Sequence, residues 1–213
     1  DINDFSITVL QNNNVQLSWN KYADFTDGTE IAAGNYTLKA TYGNIETQGF
    51  EAPYYEGAKE FSIKKNESTN ISVICYLANV KVTTEYTELF KKYFTDYTVN
   101  IRPAGSTDIS FDKNETRAAY VKPGKISIYL SGSKQQGNKV TFEAATIENA
   151  KARQHYRLKF DVQAGGTELD VSFTDETERV PITIDISDDA LNTQPPFFTP
   201  TGFESGVARE LTE

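Results

Sequence analysis

The chain has 213 residues, a formal net charge of −9, 38% hydrophobic residues and 12% aromatics. That charge sets nucleic acid aside as a partner, because phosphate binding needs a basic surface that releases counterions, and the hydrophobic content sets aside disorder over the whole chain. A single cysteine, Cys75, leaves no intramolecular disulfide and no thiolate metal cluster, and no stretch approaches the roughly 18 apolar residues of a membrane-spanning helix.

The length suits one large β-sandwich or two smaller ones, and two are expected. Phe5, Ile7 and Val9 alternate with polar residues, and Val15, Leu17 and Trp19 do the same after Asn12-Asn13-Asn14, so a hairpin is expected to open the chain. Tyr36, Leu38, Ala40 and Tyr42 continue the pattern. The run from Ile71 to Val82 is apolar on both parities, which predicts one strand covered on both faces and central in its sheet; Cys75 inside it reads as a packing residue. From Thr84 to Phe94 the spacing changes to helical, with Tyr86, Leu89, Phe90, Tyr93 and Phe94 on one stripe, Glu85 and Glu88 early and Lys91 and Lys92 late. This predicts a short amphipathic helix bridging two β-domains.

In the second half, Tyr156, Leu158, Phe160 and Val162 alternate with His155, Arg157, Lys159 and Asp161. After Gly165-Gly166, Leu169, Val171 and Phe173 alternate with Glu168, Asp170 and Ser172, so 155–173 reads as a hairpin with ordinary opposite charges across its outer face. Ile182, Ile184 and Ile186 form a last strand. The expected organisation is an N-terminal β-sandwich over 1–83, a connecting helix over 84–96, a C-terminal β-sandwich over 97–187, and a linker over 188–213 leading toward a further domain. Pro195-Pro196 and Pro200 mark that linker. The absence of Met at position 1 suggests a processed N-terminus from which a signal or lipoprotein leader has been removed.

No G-x-S-x-G, phosphate-loop, dinucleotide or H-E-x-x-H motif occurs. His155, the only histidine, sits on the polar side of a predicted strand and reads as a solvated surface residue rather than a base. The clusters Asp175-Glu176-x-Glu178 and Asp185-x-x-Asp188-Asp189 could offer oxygen ligands to calcium, yet neither has the calcium-loop pattern with its central Gly, and both read as solvated loop acids. No metal, cofactor or catalytic residue is therefore expected, and the chain reads as a binding or assembly module rather than an enzyme. The Asn-x-Ser/Thr triplets at Asn35, Asn66, Asn70 and Asn114 read as turn and strand residues. Trp19 alternates with Val15 and Leu17 and is expected in the core. In Pro53-Tyr54-Tyr55-Glu56-Gly57, the paired tyrosines either display a flat aromatic surface that could stack on sugars or pack their rings beneath the loop.

Leu17-Ser18-Trp19, Ala33 through Ala40, Gly49 through Gly57, Cys75 through Val80, Phe94-Thr95-Asp96-Tyr97 and Arg117 through Tyr120 follow one another in order. This series resembles an uncharacterised family of Bacteroidales cell-surface lipoproteins, a domain of unknown function with fimbrillin-like character, over about residues 15 to 187. The resemblance implies two transthyretin-like or immunoglobulin-like β-sandwiches, an extracytoplasmic place at the cell surface or outer membrane, and attachment only through a lipid anchor outside this sequence. It implies no catalytic residues. The partners it suggests are other surface or pilus subunits, with host or dietary glycans as the alternative. An adhesin or fimbrial subunit would use sheet edges, and Phe5, Ile7 and Val9 are then the natural exchangeable strand. A glycan-binding accessory protein would instead use Tyr54 and Tyr55.

Overall fold

The computed structural model describes residues 1–65, 67–134, 137, 139–162, 169–177 and 182–186, the last two stretches as backbone. The chain is all-β. Its strands are β1 (Ser6–Gln11), β2 (Asn14–Trp19), β3 (Gly34–Tyr42), β4 (Gly49–Phe50), β5 (Tyr55–Ile63), β6 (Ile71–Leu77), β7 (Val80–Tyr86), β8 (Phe94–Pro103), β9 (Ile109–Asp112), β10 (Ala119–Val121), β11 (Gly124–Lys134), β12 (Lys139–Ala150), β13 (Gln154–Val162), β14 (Leu169–Thr177) and β15 (Ile182–Ile186). One α-helix, α1 (Glu88–Tyr93), and two single-turn 3₁₀ segments complete the described elements.

The chain packs as two compact units. The first holds Asp1–Asn44, Pro53–Ala78 and strand β15, and its strands run in the order β15-β6-β5-β3-β1-β2. The opening hairpin turns at Asn12 and Asn13, both with positive φ (51° and 64°), the pattern of a type I′ turn whose twist matches the flanking strands. Alternation puts Phe5, Ile7, Val9, Tyr36, Leu38 and Ala40 on one buried face. Strand β6 meets β5 only at Leu77 and Tyr76, then turns across that face, where the Cys75 thiol lies 3.7 Å from the Ala40 carbonyl oxygen. The close approach needs Gly57, since a Cβ there would stand 2.3 Å from the Ile74 carbonyl oxygen.

The second unit holds Ile45–Ala52 and, from Asn79 onward, strands β7 to β14. Two sheets, β14-β13-β7-β10-β4 and β12-β11-β8-β9, face each other across one core. Val80, Val82, Leu158 and Phe160 come from the first sheet; Val99, Ile101, Ile126 and Ile128 come from the second. All pairings are antiparallel except β13 with β7.

The expected boundary at 84–96 does not follow this packing. The chain crosses between units at Ala78/Asn79, residues 45–52 join the second unit, and β15, expected in the C-terminal sandwich, pairs with β6 of the first. The helix is shorter than its spacing predicts, because Thr84 to Tyr86 finish β7 while Thr87 caps α1 by accepting from the Phe90 amide at 3.2 Å. It is not a bridge: Phe90 is fully buried in the core of the second unit. The run 71–82 is two strands broken at Ala78-Asn79, and β6 is buried on one face only, with Ile74 exposed. The turn at Gly165-Gly166 and the linker 188–213 lie outside the described residues.

Candidate functional site

The sheet of the first unit is wider than the β6 layer that covers it. Beside that layer a trough of about 690 Å³ remains, lined on one side by Val9, Leu17, Trp19, Phe25, Leu38 and Ile63 and on the other by polar and charged residues that include Asp27, Glu30, Lys64 and Asn70. The Trp19 and Phe25 rings meet edge to face at 5.0 Å. The segments that frame it are 25–33 and 63–71, far apart in sequence, and its rim mixes both charges, with Lys64 paired to Glu67 at 3.6 Å. Trp19, expected in the core, is half-buried instead, because it stands on the outermost strand, where the core packs against only part of the ring.

That outermost strand is β2. It pairs with β1 on one side, and among the described residues no strand pairs with the other. Its sequence, Asn14-Val15-Gln16-Leu17-Ser18-Trp19, has no charge and no proline, the devices that usually blunt an edge. Val15 is 61% exposed. Leu17 and Trp19 extend from the same strand into the trough, so a main-chain hydrogen-bonding edge and a channel with an apolar side lie next to each other.

The residues singled out from the sequence fall as follows. Phe5, Ile7 and Val9 are buried, and β1 lies between β2 and β3, so the candidate exchangeable run is an inner strand of its sheet. The reason is that β3 takes the flank of β1 opposite to its hairpin partner. Tyr55 packs against the core, with its ring 6.3 Å from that of Phe5. Tyr54 is half-buried, and its hydroxyl donates to Glu56 Oε2 at 3.0 Å. Burial, reinforced by that bond to a carboxylate, pushes its pKa up to about 12. Cys75 behaves as a small hydrophobe, its thiol pushed up to about 12 by burial and then by the charge of Glu56.

His155 is half-buried rather than solvated, with Nε2 2.9 Å from Thr83 Oγ1 on the neighbouring strand. Among the described residues no group of three or more His, Cys, Asp or Glu comes together as a metal site. The side chains of the two acidic clusters, Asp175-Glu176-x-Glu178 and Asp185-x-x-Asp188-Asp189, lie outside the described residues. The sequence reading missed Phe25 and Ile31, whose only signal is that each is an isolated apolar residue in a loop of Asp, Gly, Thr and Glu.

An edge strand lies beside a trough of mixed polar and apolar lining, and the fold around them is that of an all-β, β-sandwich protein. The chain belongs to the family Domain of unknown function (DUF4493), whose model matches residues 1–188. Its fold is similar to that of a fimbrial assembly protein from Parabacteroides distasonis ATCC 8503, at 11% identity and a TM-score of 0.56, covering 86% of this chain and 91% of that one. A candidate cell-adhesion protein from Bacteroides eggerthii DSM 20697 aligns at 12% identity and a TM-score of 0.46, over 83% of this chain and 89% of that one. No curated protein matches the chain. Among the described residues no helix is long and apolar enough to cross a membrane.

Proposed function

We infer that this chain is a non-enzymatic cell-surface adhesin or fimbrial subunit that engages its partner by strand addition. The observation that carries this reading is the unblunted β2 edge bordering the trough. A strand laid along β2 would gain main-chain hydrogen bonds from the edge, and its alternate side chains would enter the channel between Trp19 and Ile63. Strand exchange through Phe5, Ile7 and Val9 is a deeper version of the same event: withdrawing β1 would open a slot between β2 and β3 and leave three core positions for a donor to fill. The fold shared with a fimbrial assembly protein supports the reading, as does the acidic, strand-built chain. It entails an extracytoplasmic location at the cell surface or outer membrane, with a lipid anchor outside this sequence and other surface or pilus subunits as partners.

Light scattering on a chain lacking residues 1–10, with and without a labelled peptide of residues 1–11, tests the exchange. Assembly of the shortened chain, or capture of the peptide, is the expected result. A monodisperse monomer with no affinity for the peptide would overturn strand exchange through β1.

A further inference from the structure

Strand β15 carries the chain to the trough of the first unit. It pairs antiparallel with β6, Ile182 opposite Cys75, Ile184 opposite Val73 and Ile186 opposite Ile71, so each step along β15 moves toward the start of β6. Ile71, the last partner, lines the trough, and so do Asn70, Thr69 and Ser68 before it. The backbone is therefore handed over at Ile186 beside the trough wall, and the next residues in sequence are Ser187-Asp188-Asp189. The Thr69 hydroxyl donates to the Ser62 carbonyl oxygen at 3.5 Å, which holds the end of β5 close to the start of β6. Lys64 and Lys65 follow that end and line the trough; Glu67 pairs with Lys64, and among the described residues no carboxylate pairs with Lys65.

The sequence beyond that acidic pair reads Pro195-Pro196-Phe197-Phe198-Thr199-Pro200. Proline pairs favour an extended backbone with little entropy left to lose, and segments of this kind dock in grooves lined by aromatic rings. Trp19 and Phe25 give the trough such a lining. Length permits the contact. From β5 to β2 the trough crosses three strand spacings, about 14 Å. The eleven residues from Ile186 to Phe197 reach as far as about 36 Å, so both phenylalanines can arrive at Trp19 with slack.

We propose that the trough is a docking site for residues 195–200 of the same chain, with Phe197 and Phe198 against its apolar side and Asp188-Asp189 passing Lys65 on the way in. The exit point of β15 selects this occupant over a separate molecule: a segment tethered at Ile186 meets the trough at an effective concentration on the order of millimolar, so modest contacts suffice to fill it. A strand added along β2 then has to displace the segment before its own side chains can enter, which sets a threshold for addition. The docking goes beyond strand addition and does not depend on it. The segment fills the trough whether or not β2 receives a partner, so the two readings fail separately.

Trp19, the only tryptophan, stands in the trough wall and reports its filling. Acrylamide quenching of its fluorescence is compared in the full chain, in a chain ending at Ser187, and in the full chain carrying Phe197→Ser with Phe198→Ser, with light scattering to give the mass of each. The full chain should be a monomer with a shielded Trp19, and the quenching constant should at least double in both altered chains. A peptide of residues 188–203, added to the shortened chain at millimolar concentration, should restore the shielding, and the same peptide with both phenylalanines replaced by serine should not. Equal quenching in the three chains would overturn the proposal. So would failure of the peptide to restore shielding, because the exposure would then come from a loosened strand layer. Shielding lost on dilution as a dimer dissociates would overturn it as well, since another copy would then be the occupant.

Discussion

Replacing Phe90 by alanine probes whether α1 belongs to the core or merely joins two bodies. The Phe90 ring is 0% exposed and is surrounded by Tyr86, Phe94, Tyr97 and Phe160, with centroid separations of 4.8 to 5.8 Å. Truncation removes the ring from four aromatic contacts and leaves a hole. Three of the four neighbours come from strands β8 and β13 and the fourth ends β7, so the site has little freedom to collapse. Core Phe→Ala changes cost about 3–5 kcal/mol, and the rigid surroundings put this one at about 4 kcal/mol. At about 2–4 °C per kcal/mol for a chain of this size, melting should fall by about 8–16 °C. Leu89→Ala, next in sequence but 51% exposed, should change stability by no more than about 0.5 kcal/mol. Urea unfolding followed by far-UV circular dichroism compares the pair, with the midpoint shifting at constant m-value. If Phe90→Ala fell within about 1 kcal/mol of Leu89→Ala, the helix would not be part of the core and the connector reading would return.

Gly57→Ala should destabilise the first unit by about 1–3 kcal/mol, because the new methyl meets the Ile74 backbone rather than a side chain that can swing away; the fluorescence of Trp19, the only tryptophan, reports that unit, and an unchanged midpoint would contradict the close approach of β5 and β6. The Cys75 thiol should resist a disulfide-exchange reagent at pH 8 in the native chain and react stoichiometrically in guanidinium chloride, since burial holds its pKa at about 12; rapid native reaction would refute its burial. Glu115, held at about 2 mainly by its hydrogen bonds from the Arg117 side chain and backbone, has a folded pKa below its unfolded value. Its stabilising contribution is therefore complete above pH about 4.5 and lost as pH falls toward 2, so Glu115→Gln should flatten the acid limb of the stability curve, and an unaltered slope between those pH values would count against the pairing.

Much of the fold was legible wherever a strand separates two different environments. Tyr156, Leu158, Phe160 and Val162 alternate with polar residues and are all buried, because a pleated strand gives every second side chain to the core. The Asn12-Asn13 turn was legible because asparagine tolerates the left-handed backbone that the hairpin demands. The break at Asn79 was not, since a run apolar on both parities gives no sign of where one strand stops, even though Asn79 is the only fully buried polar residue among those described. Tyr86 misled for a different reason: it fits the helical stripe of Phe90 and Tyr93, yet tertiary pairing of β7 with β13 keeps it extended while its ring stacks on Phe90 from the strand. The trough was invisible because it is assembled from segments whose adjacency is a property of strand order, and strand order follows from packing rather than from local pattern.

The path of the chain has a consequence for how the molecule is made. The first unit contains the N-terminus, but the strand that borders β6 is β15, the last described element. On a ribosome or a secretion channel, where chains emerge N-terminus first, the first unit must therefore wait with the β6 edge open until residue 186 has emerged. Strands β7 to β14 of the second unit are all available before then. The part that starts first finishes last, and a chain truncated before β15 would offer the open edge of β6 to whatever extended segment arrives next.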